Sequence, residues 1–118
     1  MERFSKDDLL RAAGLPNRSE LTKAGRALQK HGNRVSRAFP KVSGSPEEIN
    51  RLAQDVTEAI LNTPNCSYTR RRHARFGEIT DIRTPNGEGI RYDANGNFIG
   101  FIGGVLKLDL VIFYYSYY

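Results

Sequence analysis

The stretch Phe76–Ile102 reads FGEITDIRTPNGEGIRYDANGNFIGFI, and the two Asn-Gly pairs inside it decide the architecture. Asn-Gly between apolar runs is the strongest short-range hairpin signal, because both residues tolerate the positive φ of a tight turn. One pair lies in TPNGEG, residues 84–89, and the other in DANGN, residues 93–97. They separate three strand-like runs, Phe76–Arg83, Ile90–Asp93 and Phe98–Ile102, in the pattern of an antiparallel meander. Just upstream, Ser67–Arg72 supplies a further strand. Ile90 and Tyr92 alternate with Arg91 and Asp93, which gives the sheet one apolar face and one polar face carrying Arg91.

Before residue 66 the periodicity is helical. Ser45, Pro46 and Glu48 read as an N-cap, an N1 proline and a capping-box glutamate. Behind them Ile49, Leu52, Ala53, Val56, Ala59 and Ile60 form an apolar stripe that ends before Pro64, which predicts the core helix. Leu21, Ala24 and Leu28, spaced three and four apart, predict a helix with Ser19 as N-cap and Gly32 as its C′ residue. Ser5–Ala13 reads as a short lead-in helix ended by Gly14 and Pro16, and Asn33–Gly44 as irregular chain anchored by Phe39 and Pro40. Helices first and sheet afterwards predict an α+β fold, with the N-terminal helices packed on an antiparallel sheet of four to five strands. At 118 residues the chain makes a single domain, 1–118: a lead-in (1–17), a helical part (18–65) and a sheet part (66–118). Leu106, Leu108, Leu110, Ile112 and Tyr114 alternate with other residues and suit one more strand, pairing with the sheet edge or with another molecule.

The distribution of charge says more than its net value of +5. Arg18–Lys41 holds seven basic residues against Glu20 alone, and residues 66–75 add Arg70, Arg71, Arg72 and Arg75 without an acid. Residues 42–65 are acidic, with Arg51 against Glu47, Glu48, Asp55 and Glu58. Clustered cations of this kind suit a polyanion-binding face, the alternative being a solvated basic face with no partner. The longest uncharged apolar run, Leu110–Tyr118, is too short to span a bilayer, so no membrane span is expected. The single cysteine, Cys66, allows no internal disulfide and lacks the partners of a zinc site; it reads as a small, half-buried strand residue.

Two histidines stand among these cations. His31 falls in the last turn of the second helix, where the dipole favours imidazolium, with Lys30 beside it and Arg34 just beyond. It is either a proton-transfer group or a C-terminal histidine bonded to a helix carbonyl. His73 lies between Arg72 and Arg75, which disfavour a second positive charge and suit a neutral base or an exposed strand histidine. Metal-free RNA cleavage needs a base, an acid and cations for the phosphorane, and His31, His73, Lys30, Arg34 and Arg91 could supply them. Lys23 and Lys30, seven apart, share one helix face and could hold successive phosphates or merely confer solubility; Arg70, Arg71, Arg72 and Arg75 could extend that contact. Arg91 could fork onto phosphate or pair across the strands with Asp81 or Glu78. Tyr68 and Tyr92 could stack on bases or pack in the core. The acids of residues 47–58 are expected to face outward on their capped helix, so neither a metal nor another cofactor is expected.

The strings KAGRALQKHGNR (23–34), FP at Phe39 and Pro40, and RFGEITDIRTPNGEGIRYDANGNFIGF (75–101) resemble the C-terminal cytotoxic domains of bacterial polymorphic toxins. These are the variable tips of contact-dependent inhibition and Rhs-type proteins. The resemblance implies a metal-independent ribonuclease of the barnase, EndoU, colicin and RelE fold group. It further implies delivery into a neighbouring bacterium as part of a larger secreted protein, action in the cytoplasm, and a cognate immunity protein. The expected function is a toxic endoribonuclease that cuts tRNA by 2′-hydroxyl attack, leaving a cyclic phosphate, and is neutralised by an acidic immunity protein. The alternatives are a non-catalytic nucleic-acid-binding module, an inactive relative, or a free-standing toxin held by an antitoxin. The chain continues past the FIGF block from Gly103 to Tyr118, where the relatives stop.

Overall fold

The computed structural model describes residues 3–32 and 44–103. Three helices, α1 (Lys6–Ala13), α2 (Lys23–Gly32) and α3 (Pro46–Leu61), precede four strands, β1 (Ser67–His73), β2 (Gly77–Arg83), β3 (Gly89–Asp93) and β4 (Phe98–Ile102). The strands pair antiparallel in chain order, β1-β2-β3-β4, so β1 and β4 are the edges of the sheet among the described residues. This is the α+β arrangement expected, with the helices on one face of the sheet. The expected strand Leu106–Tyr114 and the anchors Phe39 and Pro40 lie outside the described residues.

Both Asn-Gly sites make hairpins, by a different turn from the one this dipeptide usually signals. The Gly87 N–H donates to Thr84 O (2.9 Å) and the Gly96 N–H to Asp93 O (3.1 Å). Only the glycines take positive φ, 101° and 79°, while Asn86 and Asn95 keep negative φ. Each connection is therefore a four-residue turn whose last residue is a left-handed glycine, the glycine-bulge hairpin. A third bulge lies within β4. Arg91 pairs with Gly100 and Tyr92 with Phe98, which leaves Ile99 unmatched. The extra residue turns Phe98 and Phe101 to the same face although they are three apart, and both are buried.

The core is one cluster built from all three helices and the inner face of β2–β4: Leu9, Ala13, Leu28, Val56 and Ile60 against Ile82, Ile90, Tyr92, Phe98 and Phe101. Tyr92 is fully buried, its hydroxyl donating to Leu9 O at 2.8 Å, and burial pushes its ionisation well above the usual phenol range. Tyr92 therefore packs and cannot stack on a base. Ser45 caps α3 as the sequence predicts, and Ser5 caps α1. Ser19 does not cap α2. Ser19 and Glu20 adopt left-handed φ of 57° and 66° in the preceding turn, and Thr22 Oγ1 accepts the Gly25 N–H at 2.9 Å. Cys66 precedes β1 rather than lying in it, with its thiol donating to Thr63 O (3.2 Å).

Asn50 on α3 fixes α2 in place. Its Oδ1 accepts the Thr22 N–H (2.9 Å) and its Nδ2 donates to Glu20 O (2.9 Å). Gly25 makes this approach possible, since a Cβ there would lie 2.3 Å from Asn50 Oδ1. The helices meet the sheet at β3 and β4: α2 packs on β4 and α3 on β3, while the neighbour of β1 is β2. β1 thus extends beyond the helical layer, with Ser67–Arg72 exposed throughout. Among the described residues no helix is long and apolar enough to cross a membrane.

Candidate active site

Where α2 crosses edge strand β4, a cleft of about 440 Å³ opens between them. Lys23, Arg26, Ala27 and Lys30 line it from α2, Arg91 from β3, Phe98–Ile102 from β4, and Pro16 and Asn17 from the turn before α2. At 100° per residue, helix positions 23, 26, 27 and 30 fall within one narrow face, so three cations converge while Leu28 and Ala24 go to the core. Among the described residues the cleft lining contains no carboxylate. A Cβ built at Gly100, which pairs with Arg91 in the ladder, would meet no atom of the described residues within 4 Å. The absence of a side chain there leaves the cleft open beside Arg91.

Arg91 is held from behind. Its Nε donates to Asp81 Oδ1 (2.7 Å) and its Nη2 to Asp81 Oδ2 (3.0 Å), a bidentate pair between residues directly opposite in the β2–β3 ladder. The side chains are 16% and 5% exposed. Arg71 of β1 approaches the same carboxylate, Nη2 to Oδ2 3.7 Å. Burial pushes the Asp81 carboxyl up, but the hydrogen bonds from Arg91 and the charges of Arg91, Arg71 and Arg83 outweigh it and hold it below the ordinary range. Of the two pairing options for Arg91, Asp81 is the one realised, and Glu78 stands opposite Arg72 instead. The pair still leaves Nη1 of Arg91 with no partner shown among the described residues, so a guanidinium anchored on one edge can bind an anion with the other.

The remaining candidates divide between two places. Lys23, Lys30 and Arg91 come together in the cleft, joined by Arg26, which the sequence reading left out of the site. Its position, three after Lys23 and four before Lys30, was the available signal. His31 follows Lys30 in the last turn of α2; its side chain, like Arg34 as a whole, lies outside the described residues. His73, Arg70, Arg71, Arg72 and Arg75 belong to β1 and the turn after it, at the opposite edge of the sheet. Three strand spacings separate β1 from β4, about 14 Å. The structure therefore does not bring His73 to the cleft. Its Nδ1 accepts the Arg75 N–H at 3.0 Å. Glu47, Glu48, Asp55 and Glu58 are exposed on α3, as expected. Among the described residues, no three His, Cys, Asp or Glu side chains are grouped so as to hold a metal ion.

Residues 10–103 match the family model of the CdiA C-terminal tRNase toxin domain. The fold is similar to a crystal structure of the toxic C-terminal tip of CdiA from Pseudomonas aeruginosa, solved in complex with an immune protein. That similarity has a TM-score of 0.66 and 29% sequence identity, covering 77% of this chain and 97% of the other. Comparison with curated proteins gives no match.

Proposed function

This chain belongs to the CdiA C-terminal tRNase toxin domain family, and from that premise we propose that it is a toxic endoribonuclease cutting tRNA in the cleft between α2 and β4. The observation that carries the assignment to this cleft is its lining, where Lys23, Arg26, Lys30 and Arg91 meet with no carboxylate among the described residues. An RNA backbone laid along α2 would place successive phosphates on Lys23, Arg26 and Lys30. The free edge of Arg91 is suited to a non-bridging oxygen, where negative charge grows as the 2′-hydroxyl attacks phosphorus. In that step the 2′-O–P bond forms and the P–O5′ bond breaks, giving a cyclic phosphate and a free 5′-hydroxyl. We assign the proton transfer to His31: taking the 2′-hydroxyl proton and returning it to the departing 5′-oxygen balances the step with one imidazole. His73, at the far edge, is given no part in it. The reaction so written needs no metal, because fixed cations supply the charge stabilisation. As for the similar CdiA tip with its immune protein, we propose an immunity partner, one acidic enough to cover the cleft.

Purified protein incubated with tRNA in EDTA should yield fragments ending in a cyclic phosphate, and its expression in bacteria should arrest growth. His31→Ala should lower cleavage about 100-fold or more, the usual cost of removing a general acid or base. Gly100→Leu, which fills open space beside Arg91, should lower cleavage with little change in melting temperature. Cleavage that needs added magnesium would overturn the metal-free mechanism, and near-normal cleavage by both variants would move the site elsewhere.

A further inference from the structure

We propose that β1 and the turn after it form a second RNA-binding surface, separate from the cleft, that holds the body of a folded substrate while the cleft cuts it. The inference rests on the ribonuclease reading above. Its starting observation is that, among the described residues, β1 is an edge strand with no helix packed over it. Consecutive side chains of a strand point to opposite faces, so Arg70 and Arg72 share one face and Arg71 takes the other. Arg71 is drawn toward Asp81, but Arg70, Arg72 and Arg75 make no ion pair among the described residues. Arg70 and Arg72 stand two residues apart, about 6.7 Å, a spacing comparable to that of neighbouring phosphates along an RNA strand.

Aromatic rings lie beside these cations. Tyr68 is 49% exposed and Phe76 38% exposed. The Arg75 guanidinium sits over the Phe76 ring, 5.1 Å from its centroid, and the His73 ring centroid lies 5.0 Å from that of the same ring. Exposed rings interleaved with unpaired arginines form the kind of surface on which bases stack and phosphates are neutralised together. The separation of about 14 Å from the cleft edge adds a size criterion. A dinucleotide reaches the cleft alone, whereas a stem-loop or whole tRNA spans both surfaces.

The test compares two substrates on one variant, Arg70→Ala/Arg72→Ala/Arg75→Ala. On full-length tRNA the KM should rise about tenfold or more. On a short oligonucleotide carrying the same cleaved linkage, the loss should be several-fold smaller. The slope of log affinity for tRNA against log salt should fall by about two to three, close to one per phosphate contact removed. Equal losses on both substrates, or no loss on tRNA, would overturn the proposal. So would a variant that keeps its tRNA affinity but loses its immunity protein, since the surface would then belong to a protein partner. If the wild-type protein cleaves neither substrate, the ribonuclease reading fails by itself. The tRNA affinities of wild type and variant, measured by fluorescence anisotropy, then still decide whether β1 binds RNA.

Discussion

Asp81 holds a buried negative charge between arginines from two neighbouring strands, and its removal has two separable effects. Asp81→Asn leaves Arg91 short of a charged partner in a largely buried position, which costs about 3 kcal/mol, the lower end for breaking a buried pair. Thermal or urea denaturation should record that loss. Because the carboxyl titrates below its unfolded value, its stabilising contribution is complete above about pH 4 and is lost as pH falls through the lowered folded value. Wild type should therefore lose stability on acidification below pH 4 more steeply than Asp81→Asn, and parallel acid limbs would refute this. Part of the arrangement was legible beforehand. Once the turns fix the register, Arg91 must face Asp81, and the sequence reading held that pair open beside phosphate binding. The Asp81 pair is the one realised, on an arginine that also lines the cleft, and that placement depended on burial that no local pattern encodes.

Among the elements, α2 depends on a contact the sequence does not announce. Its apolar spacing predicted the helix, but Ser19 was read as its cap, when the work is divided between Thr22 and Asn50, 28 residues apart. Local rules cannot see a cap supplied from another helix. Gly25 was equally silent, since a glycine inside a helix reads only as a weak helix former. Gly25→Ala should destabilise the fold by about 1–3 kcal/mol, because overpacking pushes α2 off α3 even though alanine is the better helix former. Cleavage should fall by more than the unfolded fraction explains, because the cations of the cleft ride on α2. If Gly25→Ala instead melts higher than wild type, the close approach is not a constraint. The hairpins were the most legible elements, since β2, β3 and β4 follow the runs that the Asn-Gly pairs define. Only the turn type escaped, because one left-handed glycine serves as well as a mirror-image turn when a third loop residue is available.

Over the whole molecule, Lys23, Arg26 and Lys30 of the first basic block and Arg70, Arg71 and Arg72 of the second end at opposite edges of the described sheet, and that could not be read in one dimension. Charge sums locate cations along the chain, whereas strand order decides which of them share a face. An acidic immunity protein that blocks the cleft should associate more slowly as salt rises, because exposed charges are screened over about 8 Å at physiological ionic strength. A salt-independent association rate measured by stopped flow would point to apolar recognition instead. The bare position of β1 was foreshadowed by SYTRRRH, which has no apolar residues at alternate positions to set against a helix. It also grades stability across the molecule. Local opening is easiest where little apolar surface is buried, so the amide protons of β1 should exchange with deuterium far faster than those of β3, which lies between two strands and over the core. The fold thus comes apart from its outermost strand inward, so a chain pulled from that side would unravel strand by strand, whereas one pulled from α1 would have to break the core first.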